Sequence, residues 1–549
     1  MPPRVMILGL DGATFHFISP MIEQGKLPTL AALKERGASG VLNSIFPPHT
    51  AAAWTTVMTG ELPGAHGIFN FYGLDPSRYS RRTGPVTSEH TKGKTFFDLA
   101  GAQGMKVASI HVPMTWPAWQ VNGVMFSGYP SPLGSPACAY PRSLAERFPT
   151  LNAISYTDAP EKRLKFALDH ITEQTDVCET ILREESPDLF MTVYQESDLA
   201  HHYLYRYYDS RSPAYTEEEH RRYGDYIHRN YAALDAALAR LLAYAGPETT
   251  VFVLSDHGGT LSGPTAFHLN AWLAEKGLLT KRPERLSLTK AAYGVAKKMP
   301  DTVRAPLTKL AKRAGFNKAL DSIYEVHEGA GLIDPAQTKA YRFTVCTQIE
   351  GIVLNVAGRQ PEGIVQPGEE YEQLRDTLMA DLRALRTPDT NEPLIYQMYK
   401  REEIFPGPYL DSLPDIILRL HPMYQVGGNF DGPLFKRLEP ADLRGAWSGW
   451  HDDYGILYAA GPSIPAGQTI EDGQLVNIAP TVLRALGLAA PEWMAGKVQD
   501  GIFAEDTKET LVEVSDVPVL PSGAEDEEHT VTEEEEESIK ERLRNLGYL

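Results

Sequence analysis

Three unbroken apolar runs stand out against the polar background of the chain. They are Val5 to Leu10, stopped by Asp11-Gly12; Leu189 to Tyr194, opened by Pro187-Asp188; and Thr250 to Leu254, closed by Ser255-Asp256-His257-Gly258-Gly259. Runs of this length without alternation predict strands buried on both faces, as in a parallel sheet. Between them lie stretches with helical spacing, Leu164 to Arg183 and Tyr223 to Ala245. Strands that alternate with helices predict an α/β fold: a doubly wound, mostly parallel sheet with helices on both faces. Later strands are expected at Gly351 to Asn355 and Ile456 to Ala459.

The alternation breaks after Gly277. Lys281 to Lys318 carries eleven lysines and arginines against two acids, Glu284 and Asp301, with Val303, Leu307, Leu310 and Ala311 at helical spacing. Five segments follow: a core from 1 to 280, a basic helical insert from 281 to 330, an α/β cap or core extension from 331 to 440, a second part of the core from 441 to 505, and an acidic linker with a short helix from 506 to 549. The helix has Thr532 as its expected cap and Gly547 as its expected end. Nine acids in Glu525–Glu528 and Glu533–Glu537 oppose the basic insert in charge. This leads us to expect that the tail associates with the insert as a competitive lid, whose removal after Ser522 raises activity at low salt. The insert itself reads equally well as a solvated helical hairpin, as a cap that draws in an anionic substrate, or as a surface touching acidic groups.

With 549 residues, 42% hydrophobic and 22% charged, the chain can bury a large core, which excludes wholesale disorder. A net charge of −19 argues against dedicated nucleic-acid binding. Cys138, Cys178 and Cys346 are far apart and form no CxxC pair, so reduced, buried thiols are expected rather than a thiolate metal site or a disulfide framework. No apolar run reaches membrane-spanning length, and Val5 to Leu10 is too short for a signal-peptide core, so a cytoplasmic location is expected.

The chemistry gathers where the strands end. Asp11, Asp198 and Asp256 each follow one of the three apolar runs, and ligands of open parallel sheets bind at the carboxyl ends of strands. A single such aspartate is usually a turn residue; three, two of them beside histidines, point to a site. Asp198 and His202 are one helical turn apart, Asp256 and His257 are adjacent, and His451 is expected in a Gly/Trp/Asp loop directly before the strand at Ile456. Carboxylates and imidazoles without sulfur suit Zn²⁺ or Mn²⁺, and six ligands serve two ions in phosphoryl displacement. In Pro47-Pro48-His49-Thr50-Ala51-Ala52-Ala53-Trp54, the prolines forbid helix and the alanines favour it, so Thr50 falls at a helix N-cap. That position is a cap by default, yet a helix N-terminus beside a metal also activates a hydroxyl toward phosphate. His49 and His66 are expected to be structural or to support ligands, and Trp447, Trp450 and Tyr454 to pack around His451.

In this order and spacing, LGLDG (8–12), PPHTAAAWTTVMTGELPGAHGI (47–68), ESDLAHH (196–202), LSDHGG (254–259), WHDDYGILYAAGP (450–462) and NIAPTVLRALGL (477–488) resemble the alkaline phosphatase superfamily, in its type I phosphodiesterase/nucleotide pyrophosphatase branch. The likeness runs from Val5 to about Phe503, apart from the basic insert. It implies a metal-dependent phosphohydrolase with Thr50 as nucleophile, through a phosphothreonine intermediate. One metal would be held by Asp11, Asp256, His257 and the Thr50 oxygen, the other by Asp198, His202 and His451, usually with zinc in both; the family spacing selects His202 over His201. Ala53 stands where nucleotide pyrophosphatases carry an asparagine, which weakens the case for a nucleotide substrate. Thr50-Ala51-Ala52-Ala53 lacks the Cys/Ser-x-Pro-x-Arg pattern of sulfatases. A phosphomutase or phosphotransferase of the same superfamily is the alternative, although such enzymes use serine. A non-catalytic metal-binding protein is a third reading, opposed by the intact set of six ligands and nucleophile. The expected partner is a small anionic phosphoester.

Overall fold

The computed structural model describes residues 1–79, 83–151, 159–282, 332–346, 348–430, 432–440, 447–504, 511–514 and 529–548. Its centre is a ten-stranded sheet. In chain order the first strands are β1 (Val5–Leu10), β2 (Ala38–Asn43), β3 (Val107–Val112), β4 (Gly123–Ser127), β5 (Ala139–Tyr140), β6 (Leu189–Tyr194) and β7 (Thr250–Leu254). Across the sheet the order is Gln468–Thr469, β2, Tyr454–Ala460, β7, β1, β6, β3, β4, β5, with Gly473–Gln474 also pairing with β2. The inner pairs β7–β1, β1–β6, β6–β3 and β3–β4 are parallel, whereas Tyr454–Ala460 runs antiparallel to both β2 and β7. The three apolar runs are the three central neighbours β7, β1 and β6, and every residue of them is buried.

Two groups of helices pack within themselves. One comprises Phe15–Glu23, Pro28–Arg36, Pro160–Glu185, Glu196–Tyr208 and Tyr226–Leu242; the other comprises Thr50–Thr59, Phe96–Ala102 and Ile478–Ala485. This is the doubly wound arrangement expected from the alternation of strands and helices. The strands at Val107–Val112 and Gly123–Ser127 carry Ser109, His111 and Ser127 inside their runs, which masks them in sequence, although both strands are buried.

A second, four-stranded antiparallel sheet has the order Ala340–Cys346, Ile349–Leu354, Ile416–Leu420, Ile395–Lys400. Its second strand is the one expected at Gly351 to Asn355. Its hydrophobic core draws in Phe69, Tyr72, Leu74 and the helix Leu269–Glu275, residues that precede the break at 280. The basic insert, beyond Lys281 and Arg282, and the acidic run Glu525–Glu528 lie outside the described residues, as does any contact between them. Glu533–Glu537 forms the first turns of a helix, Glu533–Leu546, with Thr532 in a capping box with Glu535 and Gly547 at its left-handed end. Among the described residues, no helix is long and apolar enough to cross a membrane. All three cysteines are free and buried.

Candidate functional site

β1, β6 and β7 end level with one another, with Leu10 opposite Tyr194 and Gly9 opposite Leu254. Asp11, the segment Glu196–Asp198 and Asp256 therefore leave the sheet side by side at its carboxyl edge. Gly12 turns the chain there at φ +68; a Cβ on it would lie 3.0 Å from the Asp198 side chain, so glycine supplies both the left-handed turn and the close approach. The Ser197 hydroxyl donates to the Asp11 carbonyl at 2.6 Å and fastens the helix Glu196–Tyr208 to the end of β1. Glu196, buried in its first turn, pairs with His170 at 2.5 Å.

The helix Thr50–Thr59 is buried on all sides, and Thr55 and Thr59 satisfy their hydroxyls on carbonyls one turn back. It is held against β1 by Trp54, whose indole donates to Asp11 Oδ2 at 3.0 Å. Gly9 makes room for that ring, since a Cβ there would lie 2.6 Å from it. The cap is one residue earlier than the sequence indicated. After Pro47-Pro48, His49 remains extended and its Nδ1 accepts from the Ala51 N–H at 3.3 Å, so Thr50 is the first helical residue and not the cap. An imidazole reached back to a site where a threonine hydroxyl was expected.

The Thr50 hydroxyl lies 3.4 Å from His257 Nε2. Around it, His257 Nε2 is 3.3 Å from Asp256 Oδ2 and 3.6 Å from Asp11 Oδ1. Asp198 reaches His202 Nε2 at 3.0 Å and His451 Nε2 at 3.6 Å. Two groups have ligand atoms mutually within 4.8 Å: Asp198, His202 and His451; and Asp11, Asp198 and His257. Asp198 thus stands between the two clusters. Asp256 joins the second through His257 while its other oxygen accepts from the Gly12 N–H at 3.2 Å.

Each imidazole is oriented by a backbone carbonyl on its far side. Nδ1 of His202 bonds to Gly449 O at 2.8 Å, that of His257 to Gly258 O at 2.9 Å and that of His451 to Pro48 O at 2.7 Å. A carbonyl only accepts, so each Nδ1 carries the proton and each Nε2 turns a lone pair inward. His202 and His451 bring these lone pairs to 3.2 Å of each other, and the buried Asp11 Oδ1 and Asp256 Oδ2 have no hydrogen-bond partner. Such a convergence of acceptors is unfavourable unless a cation sits among them. The donor set therefore fits divalent metal ions.

Burial pushes the Asp11 carboxyl well above its ordinary range, and the neighbouring Asp256 and Asp198 push the same way. Burial likewise raises Asp256 to about 6, against the opposing pull of His257. Against burial, His202, His451 and His257 hold Asp198 below the ordinary carboxylate range. Burial, reinforced by His257, lowers His451 well below the usual histidine value.

His451 is not in a loop ahead of a strand. It lies within the short strand Gly449–Asp452, paired antiparallel with Gly258–Leu261 so that His451 faces Gly259 across the ladder. That pairing couples the last candidate ligand in sequence to the turn that carries Asp256 and His257. His201 points away, its Nε2 bonded to the Tyr231 hydroxyl at 3.1 Å and its ring stacked on Phe17. His66 bonds to the Thr56 hydroxyl at 3.2 Å and accepts from the Ile68 N–H, a structural role. Trp447 stacks on His202 with ring centroids 3.7 Å apart. Tyr454, expected to pack, is 50% exposed, because it stands at the very start of a strand whose remaining residues are buried. With Trp450 it lines a cavity of about 240 Å³ that also touches Glu350, Tyr396 and Arg419 of the second sheet.

One site residue gave no signal in sequence. Tyr548, close after the helix Glu533–Leu546, is buried with its ring packed on His49 and Trp447, beside Thr50 and within electrostatic reach of Asp198 and Asp11. The apolar stripe Ile539, Leu543, Leu546 marks a docking helix, but nothing local indicates where it docks.

The family model for type I phosphodiesterase / nucleotide pyrophosphatase matches residues 5–451. No curated protein matches the chain. Among solved structures, phosphonoacetate hydrolase from Sinorhizobium meliloti 1021 in complex with phosphonoformate is similar, with 17% identity, a TM-score of 0.52 and coverage of 87% of this chain and 94% of that one. Murine ectonucleotide pyrophosphatase / phosphodiesterase 5 follows at 15% identity, a TM-score of 0.45 and coverage of 91% and 99%. On the family match, which spans most of the chain and all seven residues singled out above, the protein belongs to the type I phosphodiesterase / nucleotide pyrophosphatase family and is a hydrolase of phosphoric ester bonds.

Proposed function

We propose that the protein hydrolyses a small phosphodiester by a two-step displacement at Thr50, with two divalent metals held by Asp11, Asp256, His257 and the Thr50 oxygen, and by Asp198, His202 and His451. The observation that carries this reading is the convergence of three inward imidazole lone pairs and three carboxylates beside the Thr50 hydroxyl. Zinc or manganese bound there supplies positive charge to the phosphoryl oxygens and lowers the pKa of a hydroxyl or water. Asp198, with a ligand atom in each cluster, would serve both ions.

The chain's own groups do the rest. The field at the N-terminus of the ten-residue helix favours negative charge at Thr50 Oγ and at a phosphoryl group beside it. The Oγ–P bond forms as the P–O bond to the leaving alcohol breaks, and the hydroxyl proton leaves with the alcohol. Water then breaks the Oγ–P bond, which releases a monoester and restores the hydroxyl. Asp256 and Asp11, unpaired with any cationic side chain, remain available as ligands throughout. Ala53 offers no polar atom to the substrate, so nucleotide selectivity forms no part of this reading. The free, buried cysteines fit a reducing compartment, and we place the protein in the cytoplasm on that basis.

The test is turnover of bis-p-nitrophenyl phosphate and p-nitrophenyl phosphate in Zn²⁺ or Mn²⁺, for wild type and Thr50→Ala. Diester turnover is expected to fall by at least about 1,000-fold in the variant. Wild type acid-quenched during diester turnover is expected to carry a p-nitrophenylphosphoryl group on the peptide containing Thr50. Full activity in Thr50→Ala would remove the nucleophile from this account, and an isomerised sugar phosphate as product would replace hydrolysis with mutase chemistry.

A further inference from the structure

The helix Glu533–Leu546 is built into the core. Ile539, Leu543 and Leu546 are buried among the residues of the main hydrophobic cluster. Arg542 donates to Ser131 O at 2.5 Å, and Ser135 donates to Glu535 at 2.6 Å. Leu546 O accepts from the Trp447 indole at 2.5 Å and from the Tyr203 hydroxyl at 3.1 Å. Trp447 itself stacks on His202, so the end of this helix is tied to a residue of the metal cluster.

Past Gly547 the chain turns Tyr548 into the site. Its ring packs edge-on against Phe71 (4.8 Å), Trp447 (4.7 Å) and His49 (5.7 Å) and lies 6.3 Å from the His202 ring, which places its phenol beside Thr50. Gly547 is needed at this point: it adopts φ +89, and a Cβ would lie 3.0 Å from the Trp447 indole nitrogen. On the same face, His49 accepts at Nδ1, so its Nε2 carries the proton, and that buried N–H has no partner. The Tyr548 phenol and the His49 N–H are therefore two neutral donors beside Thr50, where position 53 contributes only a methyl group.

We propose that Tyr548 is a positioning residue of this site, which orients the Thr50 hydroxyl and donates a hydrogen bond to the oxygen that gains negative charge there. The proposal rests on Thr50 being the nucleophile. It reverses the expectation of a removable acidic lid: a segment held by three buried apolar side chains and bonded through Leu546 and Arg542 is a permanent wall of the site. Deleting it is expected to abolish turnover and not to raise it.

Tyr548→Phe keeps the ring and its packing while removing the hydroxyl. With bis-p-nitrophenyl phosphate and metal-loaded protein, kcat is expected to fall on the order of 100-fold, as for loss of a single donor to a developing oxyanion. KM is expected to stay within about twofold, which separates loss of transition-state stabilisation from loss of binding. Orthovanadate binding, followed by calorimetry, is expected to weaken in parallel, while the unfolding midpoint stays at the wild-type value. An unchanged kcat in Tyr548→Phe, or a faster enzyme on deletion of residues 529–549, overturns the proposal. Thr50→Ala runs alongside: if it is inactive while Tyr548→Phe matches wild type, only the role of Tyr548 fails; if it retains full rate, the Thr50 reading fails and takes this one with it.

Discussion

Charge is buried in two regions of this molecule, under opposite rules. In the second sheet every buried carboxylate described meets an arginine: Glu350 with Arg342 and Asp415 with Arg359, both at 2.6 Å, while the buried Arg375 reaches Glu402 at 2.7 Å. Asp415 is completed by the Leu354 N–H and the Tyr371 hydroxyl. At the carboxyl edge of the central sheet, Asp11, Asp198 and Asp256 are just as buried, yet they meet one another and three imidazoles. The first region is complete as folded. The second is complete only with a cation, which is why its carboxyl groups are displaced upward or pinned by histidine while two of their oxygens lack partners. Burial of a carboxylate is therefore uninformative by itself; the partner it is given separates scaffold from site.

The comparison breaks most sharply on the scaffold side. Arg342→Met leaves Glu350 buried against Thr344 alone, and should cost about 3–5 kcal/mol of stability, as for other severed buried pairs. Urea unfolding measures this, with kcat in the folded protein unchanged. Asp11→Asn should act in the opposite sense. In chelator it relieves repulsion from Asp256 and Asp198 and raises the unfolding midpoint. Wild type should gain about 2.7 kcal/mol on addition of Zn²⁺ at 100 times its Kd, a gain the variant loses. A metal response equal to wild type would show that Asp11 is not a ligand.

A third test concerns a buried imidazole outside both regions. Burial lowers His66 from 6.5 to about 3, so the native state leaves it neutral while the unfolded chain protonates it below pH 6.5. The unfolded state binds the extra proton between about pH 6.5 and 3. Stability from this group is accordingly full above 6.5 and lost as pH falls through that window, by about 1.4 kcal/mol per pH unit. His66→Gln should flatten the decline between pH 6 and 4 by that amount, as read from unfolding midpoints at each pH.

Much of the scaffold was legible because it obeys local rules. β1, β6 and β7 are buried on both faces, so their sequences are continuous apolar runs, and a polar residue at their ends is visible by contrast. Asp198 and His202 were legible through helical spacing, and the family motifs pointed to the other residues that the fold gathers around Thr50. What stayed hidden depended on pairing. β3 and β4 carry serines and a histidine that only their neighbours accommodate. His451 looked like a loop residue because its strand exists only through its ladder with Gly258–Leu261. The cap at His49 went unread because imidazoles cap rarely, and Tyr454 was misplaced because it stands at the exposed start of a strand whose other residues are all buried.

Sequence alone determined the strand–helix alternation, the ends at which aspartates emerge, and the residue types suited to a divalent metal, since these follow from periodicity and from donor chemistry. Only the tertiary structure decided that Asp198 stands between the two clusters, that three carbonyls set the imidazole tautomers, and that Tyr548 packs on His49 and Trp447 beside Thr50. Those outcomes rest on contacts between segments hundreds of residues apart, where no local propensity carries information and close packing alone selects the partner.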